Sequence, residues 1–143
     1  MDQKRETPGF VLASPFRIWK DMLSDKYTTL DELKKAVIDM CIKKHWGGET
    51  GTQNPQHVAM AMTVEMSELL ENFQWLDAHE VDALVQGADP ERRARIAEEF
   101  ADVMMYGLQL MRTLDIDVSR EIEKKIGIVL DRPASRKGRE THT

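Results

Sequence analysis

The chain has 143 residues, 41% hydrophobic and 31% charged, the make-up of one globular domain, which excludes wholesale disorder. No apolar run approaches the roughly 18 residues of a membrane span, and Arg5, Glu6, Arg17, Lys20 and Asp21 interrupt any secretory leader. A net charge of -5 argues against nucleic acid as a partner, and a lone cysteine, Cys41, points to a reducing compartment, the cytoplasm.

Strand signals are scarce, and apolar residues recur at three- and four-residue intervals, which predicts helices. Residues 1–28 read as an N-terminal arm. Within it Ser14-Pro15 begins a short helix with Phe16, Trp19 and Leu23 on one side. Thr29 and Glu32 form a capping box that opens a helix to about Trp46, stopped by Gly47-Gly48. Asn54-Pro55 opens a second helix to about Trp75, and one helical turn is expected around Val81–Val85 before Gly87. Asp89-Pro90 opens a third long helix to about Leu114. Asp115 or Asp117 then caps a fourth, which ends before Pro133. The expected fold is all-α, a four-helix bundle over residues 29–131, with a basic flexible tail over 132–143.

Two of these helices carry acids where core residues belong. On a wheel of 100° per residue, Val58, Met62, Leu69 and Phe73 form the apolar stripe of the second helix. Glu65 falls inside that stripe and Glu68 lies on its edge. In the third long helix Ile96, Phe100, Val103, Gly107, Leu110 and Leu114 define the apolar line; Glu99, Asp102 and Tyr106 run beside it. Each helix therefore has two carboxylates one turn apart on one side, and antiparallel packing would bring all of them into one cleft. Two like charges 4 Å apart repel by about 4 kcal/mol at an effective dielectric near 20, so either some acids are protonated or hard cations sit among them. All-oxygen ligation favours Mg²⁺ or Mn²⁺ over zinc. The di-iron alternative requires Glu-x-x-His pairs, which the sequence lacks.

The segments Val64-Glu-Met-Ser-Glu-Leu-Leu-Glu-Asn-Phe-Gln-Trp75 and Glu98-Glu-Phe-Ala-Asp-Val-Met-Met-Tyr106 resemble the signature stretches of the all-α nucleoside triphosphate pyrophosphohydrolases, the MazG-like group. Within it the chain is most similar to the single-domain branch that includes dCTP pyrophosphatase, over about residues 29–130. The resemblance implies a nucleotide-pool-cleansing enzyme that cleaves between the α- and β-phosphates of a nucleotide, giving the monophosphate and pyrophosphate. It also implies Mg²⁺ ligation by Glu65, Glu68, Glu99 and Asp102, with Glu68 or Glu65 as the proton acceptor. Trp46 and Trp75 match base-binding aromatics, and Tyr106 matches a tyrosine lining the site. A homodimer or homotetramer is implied, with sites that draw on more than one subunit. The chain departs from the family pattern at Thr52-Gln53, at His57 in place of Asn, and near Lys125 and Arg132, where Val129 replaces an Asn. His57, Lys125 and Arg132 are thus substrate-facing candidates whose differences bear on base and sugar preference.

Other readings remain at this stage. A dimeric-type dUTPase or a phosphoribosyl-ATP pyrophosphohydrolase would use related acidic helices, although Phe73-Gln74-Trp75 favours the dCTP-type branch over the latter. A non-catalytic bundle that binds a nucleotide or partner would present the Phe16/Trp19/Leu23 patch instead.

Overall fold

Helices begin where a side chain can satisfy the amides that the first turn leaves without partners. The structure, a computed structural model, describes residues 23–133. The expected helix around Phe16 and Trp19 and the tail beyond Pro133 lie outside the described residues. Thr29 caps α1 (Leu30–Lys43): its hydroxyl accepts from the Glu32 amide at 3.2 Å, and the Glu32 carboxylate accepts from the Thr29 amide at 2.7 Å. Asn54 caps α2 (Pro55–Glu71), accepting from the Gln56 amide at 2.8 Å, with Pro55 in the first turn. Asp77 and Glu80 form a second capping box at the start of α3 (Ala78–Val85). Asp89 caps α4 (Pro90–Thr113) and Asp117 caps α5 (Val118–Leu130). A single 3₁₀ turn, Gly48–Thr50, lies between α1 and α2.

Three of the five ends share one device. His45, Gly87 and Asp115 adopt left-handed backbone with φ of 57°, 81° and 53°. The next amide then reaches back five residues: Trp46 to the Cys41 carbonyl, Ala88 to Ala83 and Ile116 to Met111, each at 2.9 Å. This stop ends α1 at Lys43, short of the predicted Trp46, and folds Trp46 back over the helix. The next turn depends on glycine. At Gly51, with φ of 66°, a Cβ would lie 2.8 Å from both the Ile38 carbonyl oxygen and the Ile42 side chain. α2 ends at Glu71 rather than at Trp75, where the chain tightens: the Asn72 and Phe73 amides bond three residues back, to the Leu69 and Leu70 carbonyls. α3 is longer than the one turn expected, its capping box having gone unread in the sequence.

The described residues are helical, with no strand among them, as the all-α reading requires. α4 is the hub, with α2 packed along it, α1 against its C-terminal half and α3 against its start. Val37 and Cys41 of α1 meet Leu108 of α4 in the core, flanked by Leu33, Met40 and Met105. Val58 of α2 and Val103 of α4 are buried as well. Arg92 donates to the Asn72 carbonyl at 3.4 Å near one end of the α2–α4 seam, and Met62 would touch a Cβ at Gly107 near the other. Numbering therefore rises on one helix as it falls on the other: the pair is antiparallel. No helix among the described residues is long and apolar enough to cross a membrane. α5 stands apart, exposed from Ser119 onward, with Ile122, Ile126 and Val129 each about half accessible.

Candidate metal centre

Antiparallel packing of α2 on α4 brings together the acids that the helical spacing singled out. Carboxylate oxygens of Glu65, Glu68 and Glu99 all lie within 4.8 Å of one another. Glu65 and Glu99 are half-buried and Glu68 is exposed. Asp102 lies outside that trio, but its charge bears on both Glu65 and Glu99, and it shares a cavity with Glu65. None of these acids is ion-paired to a lysine or arginine among the described residues.

The crowding has an electrostatic consequence. Burial, followed by the charges of Glu68 and Asp102, pushes the Glu65 carboxyl above the ordinary carboxylate range. Glu99 is raised in the same way, by burial first and then by Glu68, Asp102, Glu65 and Glu98. The Tyr106 phenol is raised by burial, then by Glu65, Asp102 and Cys41. An all-carboxylate set that lacks a cation from the protein matches the donor chemistry of a hard divalent ion. The residues fit such an ion.

Two cavities flank the acids. One, of about 170 Å³, has an apolar wall of Val37, Met40, Cys41 and Met105. Trp46, Tyr106 and Gln109 also line it, and Glu65 and Asp102 close its acidic side. The other, of about 570 Å³, holds Glu68 and Glu99 together with Trp75, Arg92 and Arg95. The carboxylates thus sit between an apolar, aromatic recess and an open cleft with two guanidinium groups.

Of the remaining sequence candidates, Trp46 and Tyr106 line the recess and Trp75, 85% exposed in its turn, lines the cleft. The two tryptophans are therefore not brought together within one chain. His57 is exposed in the first turn of α2 and lines neither cavity. Lys125 is exposed on α5 and Arg132 is exposed just after it; neither reaches the acids within one chain. Cys41 is buried and free. Sequence reasoning missed Arg92, Arg95 and Gln109. Arg95 was legible, one helical turn before Glu99. Gln109 carried a weaker signal, three residues beyond Tyr106 on the acidic side of α4.

Comparison with known proteins gives the family. The chain is 28% identical over 100 residues to dCTP pyrophosphatase 1 of Homo sapiens, covering 70% of this chain and 56% of that protein. It is 26% identical to the proteins of the same name from Rattus norvegicus, over 98 residues, and from Mus musculus, over 128. The matches cover 68% and 87% of this chain, respectively. The chain spans little more than half the length of the rat and human proteins, 55% and 56%. The MazG-like family model matches residues 60–141, a span that contains all four acids, and the chain belongs to that family.

Proposed function

We propose that the protein is a metal-dependent nucleoside triphosphate pyrophosphohydrolase that releases pyrophosphate and leaves the nucleoside monophosphate. The observation that carries this reading is the carboxylate trio of Glu65, Glu68 and Glu99, without an ion pair among the described residues and set between an aromatic recess and an arginine-lined cleft. The relatives' name makes dCTP the first substrate to try. Glu65, Glu68 and Glu99, with Asp102, would hold Mg²⁺, for which Mn²⁺ can substitute. When bound, the ion supplies the positive charge that admits a polyphosphate to an acidic site and makes a water acidic enough to react.

The chain's own residues supply the rest. The base enters the recess beside Trp46 and Tyr106, so that its phosphates lie over the acids. The Glu68 carboxylate takes a proton from the attacking water. The water oxygen bonds to the α-phosphorus, the bond from that phosphorus to the bridging oxygen breaks, and pyrophosphate leaves into the cleft. There Arg95, assisted by Arg92, meets its charge. A homodimer or homotetramer is part of the proposal. Its support is the apolar side of α5, Ile122, Ile126 and Val129, which finds no cover among the described residues. In that assembly α5 would also carry Lys125 and Arg132 to substrate. A cytoplasmic location agrees with the free thiol of Cys41.

The test is a pyrophosphate-release screen over canonical and modified nucleoside triphosphates and dUDP, with Mg²⁺ or with chelator. Release that needs Mg²⁺ is the expected result. Release that survives the chelator, or no release from any nucleotide, overturns the proposal.

A further inference from the structure

The most unusual group in the recess is not an acid. Gln109 is buried, 2% exposed, and its Nε2 has no hydrogen-bond partner among the described residues. A buried amide without a partner is destabilising, and few folded proteins keep one without a reason. The same side chain lines the recess with Trp46, Tyr106, Glu65 and Asp102. Along α4 it follows Asp102 by seven residues, about 10 Å of helix rise, which is comparable to the span from a nucleotide's α-phosphate to the far edge of its base.

From this we infer that Gln109 is the base-reading residue of the site, its carboxamide hydrogen-bonding to the edge of a nucleobase seated in the recess. The inference rests on the proposed nucleotide reading and deepens it. The other walls offer apolar surface and aromatic faces, which hold any base with little regard to its edge. Gln109 adds direction. Its Nε2 requires an acceptor on the ligand, and its Oε1 accepts from a neighbouring ring or exocyclic N–H, so one amide meets an adjacent acceptor and donor. A site built to hydrogen-bond one edge rejects ligands without it, because its own polar group is then left unpaired.

Two variants test this in the full-length protein. Gln109→Leu removes the amide at similar volume, and Gln109→Glu replaces the donor with an acceptor. Binding of a panel of nucleoside monophosphates with the four common bases is measured by calorimetry, alongside kcat and KM for the triphosphates. Gln109→Leu is expected to weaken the preferred base about 10- to 100-fold, through Kd and KM. The preference among bases flattens by the same factor, with kcat and Mg²⁺ affinity little changed. Gln109→Glu is expected to shift preference toward a base that presents a donor. Without nucleotide, Gln109→Leu should melt at a higher temperature than the parent, because it removes an unpaired buried amide. An unchanged preference in the leucine variant overturns the inference, and so does a lower melting temperature, which would reveal a partner inside the protein. If the parent binds a preferred monophosphate but hydrolyses no triphosphate, the proposed activity falls while the binding series still decides the role of Gln109. If the parent binds no nucleotide, both fall.

Discussion

The α2–α4 seam and α5 carry the same kind of pattern and meet opposite fates. Both have apolar residues at helical spacing with charges close beside them. In the seam, Val58 and Val103 are buried, and Glu65, Glu99 and Asp102 are drawn into partial burial with them, while Glu68 stays exposed. On α5, Ile122 and Ile126 are 51% and 54% exposed, so nearby Lys125 faces solvent. An amphipathic stripe says that a helix will be covered; it does not say by what. Where the cover comes from the same chain, acids at the stripe's margin are perturbed and acquire chemistry. Where it does not, the charges stay solvated until a second surface arrives.

The sharpest way to break this contrast is through the acids. Glu68→Gln and Asp102→Asn should each lower pyrophosphate release by roughly 10³-fold, with helical content and melting retained. The same steady-state assay on Lys124→Ala, an exposed α5 residue with a short-range ion pair to Glu121, should change little. Stable acid variants with parental turnover would remove the site from the seam.

Next in size is assembly. Burial of an isoleucine side chain contributes about 2 kcal/mol. If the proposed homo-oligomer is built on α5, Ile122→Glu with Ile126→Glu should therefore dissociate it into folded, helical monomers, measured by light scattering after size exclusion. An unchanged mass would show that α5 lies outside the interface. A third comparison stays within one chain. Val103→Ala should cost about 2 kcal/mol in denaturant unfolding, through lost burial and the cavity left behind. Ile128→Ala, 53% exposed on α5, should stay within about 0.5 kcal/mol in the dissociated background.

The same contrast explains what could be read in advance. Thr, Asn and Asp caps marked three helix starts and narrowed the fourth to Asp115 or Asp117, of which Asp117 is the cap, because capping is local chemistry: Thr29, Asn54, Asp89 and Asp117 each bond the backbone within three residues. Helix ends were less legible, since His45 and Asp115 stop helices in a left-handed conformation their side chains do not announce. Glu65, Glu68 and Glu99 were legible as a cluster because side-chain direction follows from helical period once antiparallel packing is assumed. Gln109 was not: its significance is the lack of a partner, which only packing reveals. Nor could the wheel of α5 tell an internal cover from an external one.

The smallest expected effect tests whether the acids are a vacancy for a cation, and its sign follows from the raised carboxyls. Glu65 and Glu99 hold their protons in the folded protein above the ordinary value of 4.5. The folded state therefore binds more protons than the unfolded one between that value and the raised ones, and their contribution to stability is present below about pH 4.5 and lost as pH rises through the raised values. Metal-free protein should melt at progressively lower temperature across that window, once the change is referenced to Glu65→Gln. Mg²⁺ reverses the slope, because an ion prefers the ionised carboxylates and displaces their protons. At about ten times its dissociation constant it adds roughly 1.4 kcal/mol, more at neutral pH than in acid. Melting series with chelator and with Mg²⁺ between pH 4 and 8 measure both slopes, and a metal effect independent of pH would mean that the ion binds away from Glu65 and Glu99. The matching series on the α5 variant Lys125→Ala should superimpose on the parent, since Glu65 and Glu99 lie on α2 and α4 and not on that helix.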